Sequence, residues 1–141
     1  NKMKKLLFAL LLFAGVATAQ TSKVIDLKST TTTKVLDTVT NAGTRIQRGV
    51  ANTGGTNMNV TVQVNITKIS GTVGGTVTCQ GSLDGTNFVT IGSAATATDV
   101  ASQSFSFLVK PTDYPYYQIK YVGTGTMAAS FNTKLYYRPV N

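Results

Sequence analysis

Apolar and polar residues alternate strictly through Met58-Asn59-Val60-Thr61-Val62-Gln63-Val64-Asn65-Ile66-Thr67. A period of two is that of a strand with one face in a core and one in water. Met58, Val60, Val62, Val64 and Ile66 are assigned to the core, and Thr61 and Gln63 to solvent. The apolar set is mostly β-branched, which suits a pleated surface. Shorter runs of the same kind follow. Val24–Leu27, Lys34–Val39 and Arg45–Val50 predict strands. Val77–Leu83 leads through Asp84-Gly85-Thr86-Asn87 into Phe88–Ile91, and Asp-Gly between alternating runs is a hairpin signal. Ser104–Val109 sets Phe105, Phe107 and Val109 on one face. Tyr116–Val122 runs into the turn Gly123-Thr124-Gly125-Thr126, and Ala129–Tyr137 closes the series before Pro139. Thr30–Thr33 reads as an edge strand or a linker, and Thr40–Asn57 as the least ordered part. About eight short strands between Gly- and Thr-rich turns predict an all-β fold, an antiparallel β-sandwich of jelly-roll or Ig-like type.

The first residues break this pattern. Lys2, Lys4 and Lys5 precede the apolar run from Leu6 to Ala19, which ends Ala17-Thr18-Ala19-Gln20. A positive start, a short apolar core and an Ala-x-Ala end are the parts of a secretory signal peptide. Residues 1–19 are therefore read as a hydrophobic helix, either a signal peptide cut before Gln20 or a short retained membrane anchor through Leu6–Ala19. The apolar run is shorter than the ~20 residues a spanning helix needs. Residues 20–141 form one domain, and the expected location is exported (periplasm, cell surface or extracellular) or virion-associated.

Charge and residue inventory narrow the function classes. The chain holds 13 Lys and Arg against five acids, with a net charge of +8. Three of the basic residues lie in the leader, and the rest are scattered. Nucleic-acid binding needs basic residues gathered on one face, so none is expected. There is no His, no Trp and no Glu. The common general bases and metal ligands are therefore missing. The five Asp residues, 26, 37, 84, 99 and 113, lie far apart in sequence. The expectation is a non-enzyme with no catalytic residues, no metal and no cofactor. Asp84–Asn87 offers too few oxygens for Ca²⁺, which takes six to eight, and reads as a turn. The Gly-Thr repeats are turn chemistry, with none of the features of a phosphate loop.

Cys79 is the only cysteine. It reads as a small buried hydrophobe in a strand, with an intermolecular disulfide as the alternative. Asn59-Val60-Thr61 and Asn65-Ile66-Thr67 match the N-glycosylation pattern by chance, both within a strand. The six tyrosines all lie in the last quarter of the chain. In Tyr116-Tyr117 and Tyr136-Tyr137 the neighbours point to opposite faces. One of each pair fills the core and the other is exposed. If the two strands pair, an exposed tyrosine ladder results. Tyr116, Tyr117, Tyr121, Tyr136 and Tyr137 are thus the candidate interaction surface, for a second subunit or for sugar rings.

Val77–Ile91, with its Gly81-Ser82-Leu83-Asp84-Gly85-Thr86-Asn87-Phe88 centre, resembles a hairpin of small β-sandwich phage virion accessory proteins (decoration, fibre and tail modules) and of some bacterial surface domains. Tyr116–Thr126 resembles the strand and Gly-Thr turn that follow it in them. The leader resembles those of exported Bacteroidota proteins. The resemblance spans roughly residues 70–138 and carries no catalytic residues. It implies a structural or assembly protein of a virion or an extracellular surface, with a homo-oligomeric or repeating protein partner. The other reading is a secreted carbohydrate- or cell-surface-binding module with a glycan partner.

Overall fold

The structure, a computed structural model, describes residues 22–51, 58–109 and 114–139. Its strands are β1 (Lys23–Asp26), β2 (Lys28–Ser29), β3 (Asp37–Thr40), β4 (Thr44–Val50), β5 (Met58–Gly71), β6 (Gly75–Ser82), β7 (Val89–Thr90), β8 (Ala95–Ala97), β9 (Ser102–Val109), β10 (Tyr116–Gly123) and β11 (Met127–Pro139). They form two antiparallel sheets packed face to face. The first runs β1-β11-β5-β9, with β3 beside β11 on the same side as β1. The second runs β2-β4-β10-β6, with β7 and β8 sharing the outer side of β6. With β1 and β2 set aside and β7 and β8 counted as one strand, eight strands remain. The first sheet then reads first-eighth-third-sixth, and the second reads second-seventh-fourth-fifth. That is the double Greek-key order of a jelly roll.

The long alternating run becomes β5, and its faces fall as the pattern dictates. Val60, Val62, Val64 and Ile66 are buried, and Gln63 is exposed. Thr61 is half-buried rather than fully exposed, because Tyr136 and Leu108 flank it. From the opposite sheet Val77, Cys79, Tyr117, Ile119 and Tyr121 close the core. Tyr121 meets Phe131 edge-to-face across the sandwich, ring centres 5.7 Å apart and planes at 88°, a favoured geometry for aromatic pairs.

Several sequence expectations change. Within Thr40–Asn57, read as the least ordered part, the Arg45–Val50 run does form a strand, and β4 pairs with β10 along its whole length, from Thr44↔Val122 to Val50↔Tyr116. Its core position is occupied by Gln47, whose amide nitrogen donates to the Val35 and Phe131 carbonyls. A buried glutamine hides the alternation. The Lys34–Val39 strand shrinks and shifts to β3. Ahead of it Thr30–Thr33 forms a turn, neither strand nor linker. Ser29 Oγ accepts the Thr31 and Thr32 N–H groups, and Thr33 adopts a left-handed φ of 58°. The Asp84-Gly85 hairpin has a broad loop, with β7 returning along Gln80 and Gly81. The expected helix of residues 1–19 lies outside the described residues, as do residues 52–57.

Candidate interaction surface

Topology redistributes the tyrosines. β10 and β11 lie inside opposite sheets, so no tyrosine ladder joins them. Tyr117, Tyr121 and Tyr137 point between the sheets and are buried in the core. They correct the expectation of a five-residue tyrosine surface. The physical reason is the two-residue period. Tyr117, Ile119 and Tyr121 share the inward face of β10, and Leu135 and Tyr137 that of β11. Tyr116 is half-buried beneath Gly85, where a Cβ would press on its ring. Only Tyr136 is clearly exposed, at 37%.

Register gives Tyr136 a setting. On the outer face of the first sheet it is flanked by Val24 of β1 and Thr61 of β5, and Thr61 by Leu108 of β9. Val24 and Leu108 are 55% and 59% exposed. One row across the sheet thus reads valine, tyrosine, threonine, leucine. The next row holds Asp26, Lys134, Gln63 and Ser106. There Lys134 Nζ lies 2.8 Å from Asp26 Oδ1.

The row ends at β9, and β9 ends the sheet. Among the described residues no strand pairs its outer side. Which backbone groups face outward follows from two bonds. The Leu27 N–H donates to the Thr133 carbonyl, and the Lys68 N–H to the Ala101 carbonyl. Peptide groups alternate sides along a strand with period two. Ala101, Gln103, Phe105, Phe107 and Val109 therefore turn their backbone toward β5. Ser102, Ser104, Ser106 and Leu108 turn theirs to the free edge. The eight residues of β9 include no charge, no proline and no glycine. The register shift in this sheet falls between Ala128 and Ala129, away from β9. Charges, prolines and bulges are the usual means of blocking an edge, and this edge has none of them.

The second sheet has one row of its outer face covered. Arg48 donates from Nε and a terminal nitrogen to Gln118 Oε1, at 3.1 and 2.8 Å. Gln118 Nε2 donates to Gln80 Oε1 at 2.7 Å. The 83–88 loop lies over this row. Arg48 also donates to the Gly85 carbonyl, and its guanidinium stacks 4.3 Å from the Phe88 ring centre. Gln118 is consequently only 5% exposed despite facing outward. The loop is held by Asp84. Its Oδ1 accepts the Thr86 and Asn87 N–H groups and the Ser82 hydroxyl, and its Oδ2 accepts the Asn87 side-chain amide. These donors, the Asn87 backbone first, hold the Asp84 carboxyl well below the usual carboxylate range. With its oxygens so engaged, the carboxylate supports the turn reading. Beside the loop, a pocket of about 330 Å³ is lined by Leu83, Val89 and Tyr114. The other described acids are tied down singly. Asp99 pairs with Lys68 at 2.8 Å and accepts the Val73 N–H, and Asp37 sits 3.8 Å from Arg45. Cys79 faces the core, fully buried, and burial pushes its thiol up to about 12. That placement corrects the intermolecular-disulfide alternative.

No known family model matches the chain, and no curated protein matches it. Solved structures do. A chain of the Bacillus endospore appendages, described as disulfide-linked pili, is 12% identical with a TM-score of 0.50, over 91% of this chain and 96% of that one. The likeness is one of fold: this chain is a β-sandwich. A CBM4 structure (16% identical, TM-score 0.46, 82% and 77% covered) and a chain of infectious bursal disease virus, Gx strain (9%, 0.47, 89% and 37%) align more loosely.

The free edge and Leu108 escaped the sequence reading. The alternation in Ser104–Val109 was visible, but nothing local says which strand ends a sheet.

Proposed function

We propose that this protein is a non-catalytic structural subunit that assembles with copies of itself or with a repeating protein partner, on an extracellular surface or a virion. The observation that carries the reading is β9. It is a long uncharged edge strand whose outward backbone groups pair with no strand among the described residues, at the end of the Val24–Tyr136–Leu108 row. Such edges join to other strands unless blocked. The fold shared with the pilus chain is compatible with this role. The signal-like residues 1–19, which resemble the leaders of exported Bacteroidota proteins, support export, and the hairpin resemblance to virion accessory proteins and bacterial surface domains supports the same class.

A second reading, glycan binding, draws on the members of the Arg48–Gln118–Gln80 row that the loop leaves half-buried, Arg48 and Gln80, beside the half-buried Phe88. Amides, a guanidinium and an aromatic ring are groups that hold sugars. One comparison separates the two. Sedimentation of the full chain over a range of concentrations should show reversible association, and a glycan array should show no saturable binding. A strictly monomeric protein with saturable glycan affinity lost in Gln80→Ala would overturn the assembly reading.

A further inference from the structure

We propose that β9 pairs antiparallel with β9 of a second copy of this chain, about a two-fold axis through Phe105, fusing two first sheets into one continuous sheet. The proposal rests on the assembly reading and names its partner. Ser102, Ser104, Ser106 and Leu108 carry the outward backbone groups. An axis at Phe105 sets Ser104 against Ser106 of the other copy and Ser102 against Leu108. In that register all four outward residues of each copy find hydrogen-bonding partners. Displacing the axis by one residue to Ser106 sets Ser102 opposite residue 110, beyond the end of β9. Antiparallel two-fold pairing also keeps the core-facing residues on one side. Phe105 then meets its own copy at the axis, and Phe107 meets Gln103. Both phenyl rings are only half-buried against the core, so a second strand covers them further.

The partner edge is chosen by charge and continuity. The opposite side of the same sheet is divided between β1 and β3, four residues each, and the chain leaves the sheet between them. β1 carries Lys23 and Asp26. A straight eight-residue strand cannot lie along that broken, charged edge without burying unpaired groups. In the second sheet β2 and β7 have two residues each and β8 has three. The edge that matches β9 in length and neutrality is another β9, and a patch that matches itself gives an isologous dimer.

Ser106→Pro tests this directly. The Ser106 N–H faces the free edge, so proline removes no bond to β5 and is of the kind edge strands tolerate. Sedimentation equilibrium of the full chain should show a dimer weakened about tenfold to a hundredfold, from the two main-chain hydrogen bonds lost across the axis. The melting temperature of the dissociated protein should be unchanged. Ser106→Lys is the companion variant. It keeps the backbone and sets two like charges diagonally across the axis, with the same expected loss. Because Cys79 is buried, introduced thiols report cleanly. Oxidising a mixture of Ser104→Cys and Ser106→Cys should cross-link the two variants to each other and neither to itself. A wild-type dimer untouched by both Ser106 substitutions, or cross-links that ignore this register, overturns the β9 pairing and leaves the assembly reading standing. A wild-type chain monomeric at its highest soluble concentration overturns the β9 pairing and the self-association arm of the assembly reading, leaving only a repeating protein partner for it.

Discussion

Val64 and Thr61 occupy one strand and differ in consequence because of parity. Val64 is fully buried, and Thr61 looks out between Tyr136 and Leu108. Val64→Asp places a charge where no cation faces it, and should cost more than about 3 kcal/mol, the scale of an uncompensated buried charge. Thr61→Asp should cost about 1 kcal/mol or less, the range of strand propensity. Urea unfolding of the two variants measures both. Equal losses would mean that the strand sits one residue out of register, with its faces exchanged. Single-residue space matters too. Gly81 has Tyr114 packed over it, and a Cβ there would clash with the ring. The half-buried tyrosine needs that bare backbone.

The 83–88 loop is an element with its own acid response. Backbone and side-chain donors stabilise the ionised Asp84, so its carboxyl titrates lower in the folded protein than in the unfolded chain, where it titrates near about 3.9. A group with a depressed folded pKa contributes stability that is present above its unfolded value. That contribution is lost as pH falls toward the folded one. The protein should therefore become less resistant to urea as pH drops below about 4. Asp84→Asn should flatten part of that fall. Asp99, lowered by Lys68 and then by the Val73 N–H, keeps the remainder. Urea midpoints of both proteins at neutral and acid pH measure this. Identical slopes would show that the loop does not respond as a unit. The loop's other tie is Arg48, which bonds the Gly85 carbonyl and stacks on Phe88.

For the whole molecule, charge and edge act against each other. The chain carries +8, so two copies repel, while β9 contributes no charge to the contact. Salt should therefore strengthen self-association. Raising ionic strength from about 0.01 M to about 0.15 M shortens the screening length from ~30 to ~8 Å. The dimer dissociation constant should fall across that range in sedimentation runs. Weakening with salt would point instead to contacts between opposite charges. Surface pairs such as Lys134–Asp26 and Lys68–Asp99, with both partners well solvated, contribute little to stability.

Much of this architecture follows from the sequence by itself. Period-two alternation set the all-β class, the faces of β5 and β9 and the burial of Cys79, because side-chain direction along a strand is local geometry. It also set that one tyrosine of each adjacent pair turns inward. Pairing is not local, and there the tertiary structure decided. It alone put β10 and β11 in opposite sheets, which dissolved the tyrosine ladder and left Tyr136 beside Val24. It alone showed what fills the core position of β4, a glutamine whose amide nitrogen donates to the Val35 and Phe131 carbonyls. It alone laid the 83–88 loop over the Arg48–Gln118–Gln80 row of the second sheet. The candidate site belongs wholly to this second class. An edge exists only relative to the strands that are not there, so Ser102–Val109 reads the same whether it ends a sheet or sits inside one.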